Sequence, residues 1–254
     1  MPLILLSNDD GIDAPYLEPT AQALASACDA RVVVVAPERE RSAVSHSITL
    51  HKPLRLVERA PDRYAVSGSP VDCVYIAINK LLEHPPDVVV SGINRGYNLG
   101  ADVFYSGTVG AAAAGALRKI PGIALSLAPR GSDGLAAATA FAGTLTRAVL
   151  DSPPPPRTVL NVNFPAAPGG TYQWTRLGER VYHDVVDDRH DPRGRRYYWI
   201  GGGVADADNP PGTDCHAVSS GHVSVTPLEL DLTHRQLAAT APTWALTDYE
   251  LVAS

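Results

Sequence analysis

Continuous apolar runs that end in polar loops constrain the fold of this chain more than any other feature. The run VVVVA ends at Ala36 and the run DVVVS ends at Ser91, without the apolar–polar alternation of a strand exposed on one face. Similar short runs occupy 3–6, 122–127 and 158–163. Such β-branched runs indicate strands buried on both faces of a parallel sheet. The sequence therefore predicts an α/β fold with a buried, mostly parallel sheet.

Helix signals lie between these strands. The sequence Ser69-Pro70-Val71-Asp72 is typical of a helix start, with Ser as N-cap, Pro at the first helical position and an acid three residues after the cap. A second helix is predicted over about 108–119, where the Ala and Gly residues allow close packing on the sheet. A third is predicted over about 133–150, ending before the prolines at 153–156. Alternating strands and helices indicate a doubly wound α/β architecture.

The segment from about 172 to 222 differs in composition from the rest of the chain. It is polar, aromatic and rich in turn residues, and it contains RRYYWI at 195–200. These features predict hairpins and loops that project from the core as an arm. An exposed aromatic hairpin needs cover, and a second subunit is the natural source. The segment 223–233 returns to strand-like alternation, so one domain spanning 1–254 with an arm is expected.

Composition excludes some classes of function. The net charge of −6 offers no basic stripe for nucleic acid, although it does not exclude a small phosphorylated substrate. Cys28, Cys73 and Cys215 are odd in number and far apart, so neither a disulfide framework nor a zinc site is expected. We expect three small buried or half-buried thiols in a reducing compartment. No apolar stretch approaches a membrane span or a signal peptide, which predicts a cytoplasmic protein that binds no membrane.

Two adjacent acids, Asp9 and Asp10, directly follow the first predicted strand. Close like charges repel, and partial burial raises the cost of ionising both. A divalent cation would compensate by reversing the local electrostatics. The alternative is a solvated turn that happens to be acidic, since Asp and Asn are ordinary turn formers. These residues alone do not decide between the two.

The loops after the other strands add residues of matching chemistry, because in open α/β sheets the site lies at the carboxyl ends of the strands. Ser42 follows the second strand and Asn94 the third, and both offer oxygen atoms. Two carboxylates, an amide oxygen and a hydroxyl suit Mg²⁺, Mn²⁺ or Ca²⁺ better than zinc. Gly107 opens the Ala-rich helix between the Ser106 and Thr108 hydroxyls, which is typical of an anion site. A cation beside a phosphate cradle implies chemistry on a phosphoryl group.

Each of these features has a simpler interpretation. Gly-rich helix starts are common for packing reasons, so YSGTVG is weak support alone. Asn94 and Asn98 are suited to capping turns. Arg39 and Arg41 fit a solvated surface pair, and a structural or solvated role is favoured for His46. The loop APRGSDG after the fourth strand carries less chemistry.

Six collinear blocks resemble the SurE survival-protein family over roughly residues 3 to 232. They are NDDGI, APERERSAVSHSITLHKPL, VSGSPVDCV, VSGINRGYNLGADVFYSGTVGAA, LNVNFP and GTDCHAVSSGHVSVTPL. The resemblance implies a three-layer α/β/α Rossmann-like core and a metal-dependent phosphatase of nucleoside 5′-monophosphates, often also 3′-monophosphates and short polyphosphate. It further implies a dimer or tetramer formed through an exchanged C-terminal arm.

The resemblance also implies roles for individual residues. The implied ligands of one divalent metal ion per subunit, Mg²⁺ or Mn²⁺, are Asp9, Asp10, Ser42 and Asn94. One of the two aspartates is also expected to accept a proton from the attacking water. The implied substrate- and phosphate-binding residues are Asn98, Ser106, Gly107 and Thr108. Ala43 and Cys215 depart from the family pattern, and neither is an implied ligand.

Other classes of protein match less well. A Mg²⁺-dependent receiver domain that accepts a phosphoryl group is the main alternative, but it needs an acceptor Asp where this chain has Asn94, and it is about half as long. A haloacid-dehalogenase-type phosphatase needs Asp-x-Asp, and the position two before Asp10 is Asn8. A purely structural protein is disfavoured because the oxygen donors gather at strand ends.

Overall fold

A computed structural model describes residues 1–129, 134–182, 185–201, 204–205 and 209–240. The strands within these ranges, in chain order, are β1 (Leu3–Ser7), β2 (Arg31–Pro37), β3 (Leu56–Ala60), β4 (Arg63–Val66), β5 (Val88–Arg95), β6 (Gly122–Leu127), β7 (Thr158–Phe164), β8 (Tyr172–Trp174), β9 (Val181–Tyr182), β10 (Val185–His190), β11 (Arg196–Gly201), β12 (Val204–Ala205) and β13 (Val223–Glu229). The α-helices are α1 (Leu17–Cys28), α2 (Pro70–Ile76), α3 (Gly107–Ala116), α4 (Leu135–Asp151), α5 (Asp214–Ser219) and α6 (Arg235–Thr240).

Nine strands form the central sheet in the order β3-β4-β2-β1-β5-β6-β7-β13-β8. Six adjacent strands of the sheet are mutually parallel, namely β4, β2, β1, β5, β6 and β7. The strands β3 and β13 run antiparallel to β4 and β7, respectively. The chain winds from β1 towards β2 on one side and returns to β5 on the other. The gap between the carboxyl ends of β1 and β5 is therefore the topological switch point, where open α/β sheets bind ligands.

Helices cover both faces of the sheet. Side chains of α1 and α4, such as Leu24 and Ala142, share one buried cluster with Ile4 and Leu6 of β1. Residues of α2 and α3 share another cluster with Leu5, the β1 residue between them. Because successive strand residues point to opposite faces, this partition requires one helical layer on each side. The predicted three-layer α/β/α core is confirmed.

The local signals predicted α2 and α3 correctly. The Ser69 hydroxyl oxygen accepts from the Asp72 N–H at 3.1 Å, and the Asp72 carboxylate accepts from the Ser69 N–H at 2.8 Å. A π-helical turn at Ala77–Leu81 then continues α2. Every residue of α3 is buried, and a Cβ added at Gly115 would lie 2.5 Å from a Val89 methyl carbon. The small residues thus bring α3 into close contact with the sheet.

Other elements were not predicted from the sequence. Helix α1, the β3–β4 hairpin and α5 have no counterpart among the expected elements. The segment 172–222 was expected to form hairpins and loops, and the presence of helix α5 corrects that prediction. Thr213 caps α5, because its side-chain oxygen accepts a hydrogen bond from the His216 N–H. Six residues are too few to show a helical period. Helix α4 begins at Leu135, and residues 130–133, which include the predicted helix start, lie outside the described ranges.

The arm is smaller than its sequence suggests. Strand β8 pairs with β13 in the central sheet, so 172–174 belongs to the core. Strands β10 and β11 form the expected antiparallel hairpin, and Trp199 and Ile200 are 61% and 92% exposed. Strands β9 and β12 form a second short pair. No helix in the described part of the chain has the length and apolar character required to span a membrane.

Replacement of Gly115 by Ala tests the close contact of α3 with the sheet. We expect Gly115→Ala to lower the free energy of unfolding by about 1–3 kcal/mol through overpacking, although Ala is the better helix former by about 1 kcal/mol. Urea denaturation measures the change. Ala140→Gly on the exposed face of α4 calibrates the propensity difference alone. A stabilised Gly115→Ala variant would contradict the described packing.

Candidate active site

A pocket of about 550 Å³ opens at the carboxyl ends of β1 and β5. Its lining residues are Asp9, Asp10, Glu40, Ser42, Ala43, Asn94, Arg95, Tyr97, Asn98, Asp102, Tyr105, Ser106, Tyr182 and Ile200. Six of the eight residues singled out from the sequence line this one pocket, and the other two, Gly107 and Thr108, adjoin it. The fold thus brings together the loops after β1, β2 and β5.

Asp9 lies at the centre of this arrangement, at the end of β1. Its side chain is buried, and Oδ1 accepts a hydrogen bond from the Thr108 hydroxyl at 2.6 Å. A Cβ at Gly107 would lie 2.9 Å from Asp9 Oδ2, so only glycine lets the start of α3 approach the carboxylate this closely. Gly107 and Thr108 therefore contact Asp9 directly, and their role in phosphate binding remains a prediction.

Burial makes the acid pair electrostatically costly. It raises the pKa of Asp9 from 3.8 to about 6; the Thr108 hydrogen bond opposes the rise, and repulsion from Asp10 adds to it. Burial also raises the pKa of Asp10, although the Arg95 N–H donates to its Oδ2 at 3.4 Å. Two carboxylates that resist ionisation side by side are stabilised by a positive charge between them.

The remaining oxygen donors come from the other two loops. The Ser42 hydroxyl donates to Glu40 Oε1 at 2.7 Å, so its oxygen lone pairs are directed elsewhere. The Asn94 amide nitrogen donates to the Gly96 carbonyl at 2.9 Å, which leaves the amide oxygen as the atom suited to a cation. No cluster of three or more His, Cys, Asp or Glu within the described ranges is arranged as a metal site. A cation here would thus depend on hydroxyl and amide oxygens as well as carboxylates.

The start of α3 forms the other side of the pocket. Ser106 is its N-cap and accepts from the Val109 N–H at 3.0 Å. The positive end of the helix dipole therefore lies beside the pocket, where it favours an anion. Arg95 also lines the pocket, whereas Arg39, Arg41 and His46 are absent from its lining.

Asn98 is held by residues that the sequence analysis did not assign. Its backbone N–H donates to Asn163 Oδ1 at 2.8 Å, and its carbonyl accepts from the side chains of Asn161 at 2.8 Å and Asn163 at 3.1 Å. Its own amide donates to the Ser126 hydroxyl at 2.7 Å. All four side chains are buried. Two asparagines in an otherwise apolar strand were the available signal for this clamp.

Glu40 and the pocket's tyrosines were also missed by the sequence analysis. Glu40 is adjacent in sequence to predicted surface arginines and carries no signal of its own. Tyr97 and Tyr105 flank predicted site residues, whereas Tyr182 comes from β9 and reaches the pocket only through the fold.

The chain is similar over most of its length to proteins of one known family. The family model described as Survival protein SurE matches residues 4–184. The chain belongs to the SurE family. A 5′-nucleotidase SurE of Anaeromyxobacter dehalogenans is 49% identical over 250 residues, covering 97% of each chain. A 5′-nucleotidase SurE of Geobacter metallireducens is 49% identical over 253 residues, covering 98% of this chain and 99% of that protein.

A solved SurE structure supports the fold as well. The crystal structure of the SurE protein from Aquifex aeolicus matches with a TM-score of 0.83 at 40% identity, covering 94% of this chain and 97% of that chain. The resemblance read from the sequence blocks is therefore confirmed. A receiver domain would be about half this length, so full-length similarity to SurE proteins disfavours that alternative.

Substitution of Asp9 tests the electrostatic cost in the absence of metal. Because the folded pKa is about 6 and the usual value is 3.8, ionised Asp9 destabilises the metal-free protein by about 3 kcal/mol above pH 7. The cost falls between pH 6 and pH 4 as folded Asp9 takes up its proton. We expect Asp9→Asn to raise the free energy of unfolding by this amount in EDTA at pH 8 and by little at pH 4, as measured with urea.

Asp13→Asn is the matched control because Asp13 is exposed in the same loop. Its stability should change by less than about 0.5 kcal/mol at both pH values. Equal urea midpoints for the wild type and Asp9→Asn at pH 8 would contradict the described environment of Asp9.

Proposed function

We propose that this SurE-family protein is a divalent-metal-dependent 5′-nucleotidase that hydrolyses nucleoside 5′-monophosphates to nucleoside and phosphate. The observation that carries the proposal is the convergence of Asp9, Asp10, Ser42 and Asn94 on one pocket beside the N-terminus of α3. The two relatives named 5′-nucleotidase SurE, each 49% identical to this chain, support the reaction. Nucleoside 3′-monophosphates and short polyphosphate are proposed as secondary substrates.

The donor set fits a hard cation, one per subunit. Carboxylate, amide and hydroxyl oxygens from three loops suit Mg²⁺ or Mn²⁺, and Asp9, Asp10, Ser42 and Asn94 would hold it. Such an ion supplies polarisation of a phosphoryl oxygen and a lowered pKa for water. The raised pKa values of Asp9 and Asp10 support a site that is complete only with a positive charge.

The protein's own groups bind the phosphoryl group and move the proton. The Ser106 hydroxyl and the N-terminus of α3 stabilise negative charge on the phosphoryl oxygens. Asn98, which Asn163 holds in the loop after β5, orients the substrate. One carboxylate of the Asp9–Asp10 pair accepts the proton of the attacking water.

Electrostatics predict a strict need for metal. Asp9, Asp10 and Glu40 outnumber Arg95 among the charged residues that line the pocket, so a phosphate dianion that enters without a cation is repelled. Two like charges about 4 Å apart repel by about 4 kcal/mol at an effective dielectric constant of about 20. A bound cation reverses the sign of this interaction.

Metal removal tests the function directly. We expect phosphate release from AMP, GMP, CMP and UMP to stop in excess EDTA and to return when Mg²⁺ or Mn²⁺ is added back, because the carboxylates otherwise repel the substrate. Phosphate release is measured colorimetrically over the panel. Undiminished hydrolysis in EDTA would refute the proposal.

Two variants test the proposed metal ligands Asp9 and Ser42. We expect Asp9→Asn to lower kcat/KM for AMP at least about 10³-fold, and Ser42→Ala to raise the Mg²⁺ concentration for half-maximal rate about tenfold through loss of one neutral ligand. Circular dichroism checks that both variants fold, and Asp13→Asn should keep full activity. An Asp9→Asn enzyme that turns over AMP at saturating Mg²⁺ would remove Asp9 from the mechanism.

We also propose that the chain assembles into a dimer or tetramer through its arm in the cytoplasm. Support for assembly comes from Tyr198, Trp199 and Ile200, which expose 57%, 61% and 92% of their surface on one hairpin. Large exposed apolar side chains gathered on one hairpin favour a protein partner. Support for the compartment comes from Cys28, Cys73 and Cys215, which are free thiols.

A further inference from the structure

We propose that the arm and the loop after β5 together form the leaving-group wall of the active-site pocket, and that the ion pair between Asp102 and Arg180 holds the two parts of this wall together. The wall consists of Tyr97, Tyr105, Tyr182 and Ile200. The proposal rests on the proposed function and deepens it, because it assigns recognition of a planar base to residues outside the metal and phosphate sites.

The composition of the wall fits the planar base of a nucleoside leaving group. Tyr105 and Tyr182 are 70% and 42% exposed, yet both line the pocket that holds the acid pair. Exposed aromatic faces at a polar pocket provide stacking surfaces for a nucleobase, which every base can use because each has a π-face. Phosphate and ribose gain little from such surfaces. The wall therefore favours nucleotides over sugar phosphates.

Asp102 fastens the arm to the pocket. Its Oδ2 accepts from Arg180 Nη1 at 2.5 Å, and its Oδ1 accepts from the Tyr182 hydroxyl at 2.6 Å. The Arg180 guanidinium carbon lies 5.5 Å from the centre of the Tyr182 ring, in cation–π contact. Both side chains of the ion pair are only 15% exposed, so water screens this pair less than an ordinary surface pair.

The same residue reaches the phosphate side of the pocket through its backbone. The Asp102 carbonyl accepts from the Ser106 N–H at 3.1 Å, and Ser106 is the N-cap of α3. One residue therefore links the arm, through its carboxylate, to the start of α3, through its carbonyl. A leaving group positioned by Tyr182 is held in register with the phosphoryl group at Ser106.

A second attachment makes the ion pair dispensable for folding. The buried Asp214 carboxylate accepts from the Gly100 N–H at 2.9 Å and the Gly178 N–H at 2.7 Å, and it joins the arm to the same loop. Loss of the Arg180 charge should thus leave the start of the arm attached. Only the position of Tyr182 and the residues beyond it should change.

AMP and ribose 5-phosphate differ only by the base and form the matched substrate pair. With Mg²⁺ present, we expect wild-type kcat/KM to favour AMP over ribose 5-phosphate by at least about tenfold, the value of one base–aromatic stack. Arg180→Met should raise KM for AMP about tenfold, change kcat less than about twofold and leave ribose 5-phosphate kinetics unchanged. Arg180→Lys should restore part of the AMP affinity because it keeps the cation.

Arg189→Met is the matched control, since Arg189 pairs with Asp187 on the exposed hairpin of the same arm and does not line the pocket. Its kinetics should equal those of the wild type. Equal losses for both substrates in Arg180→Met would show a merely structural role and overturn the proposal. Absence of wild-type discrimination between the two substrates would overturn it as well.

Adenosine binding separates this proposal from the proposed function. Isothermal titration of adenosine into the Mg²⁺-loaded protein should show saturable binding that weakens about tenfold in Arg180→Met and is unchanged in Arg189→Met. If adenosine binds in this way while no phosphomonoester is hydrolysed, the nucleotidase function fails and the wall stands. If adenosine does not bind while AMP and ribose 5-phosphate are hydrolysed equally, the wall fails and the phosphatase stands.

Discussion

The contact between the Asp9 carboxylate and the start of α3 determines how the rest of the structure is arranged. Asp9 lies two residues after β1, a central strand of the sheet, and the Thr108 hydroxyl donates a hydrogen bond to its Oδ1 at 2.6 Å. Gly107 must be glycine for the helix to come this close. A carboxylate with a pKa of about 6 is thereby kept at the topological switch point, beside a helix N-terminus. The acid pair and the helix N-terminus, on which the proposed phosphoryl chemistry depends, meet at this contact.

This arrangement implies a trade-off, because the buried acid pair that the proposed reaction requires lowers the stability of the fold. The acid pair destabilises the metal-free fold at neutral pH, because burial favours the protonated forms. The buried clamp of Asn98 by Asn161 and Asn163 acts in the opposite direction, since it satisfies the backbone of a pocket loop with well-formed hydrogen bonds. Rigid polar support beneath a strained electrostatic site is what a preorganised active site requires. Metal binding would then stabilise the fold by removing the repulsion rather than by rearranging the loops.

Local patterns accounted for the core, and they failed where distant segments meet. Short apolar runs identified the five central strands, and the capping pattern at Ser69 located α2, because burial and capping are encoded within a few residues. The clamp of Asn98 joins residues separated by 63 and 65 positions, and Arg180 joins Asp102 across 78. No local period records such pairings. The implied ligands came from the family resemblance, and the fold places them in one pocket.

The position of the arm follows from the same long-range contacts and changes how the pocket should be understood. An arm whose sole role was assembly would need attachment to the core at its ends alone. Here the Asp102 carboxylate binds Arg180 and Tyr182, while the Asp102 carbonyl binds the N-cap of α3. Asp102 therefore contacts both the arm and the helix start that lines the pocket. The hairpin that carries the exposed aromatic residues therefore belongs to an arm that Asp102 attaches directly to the pocket.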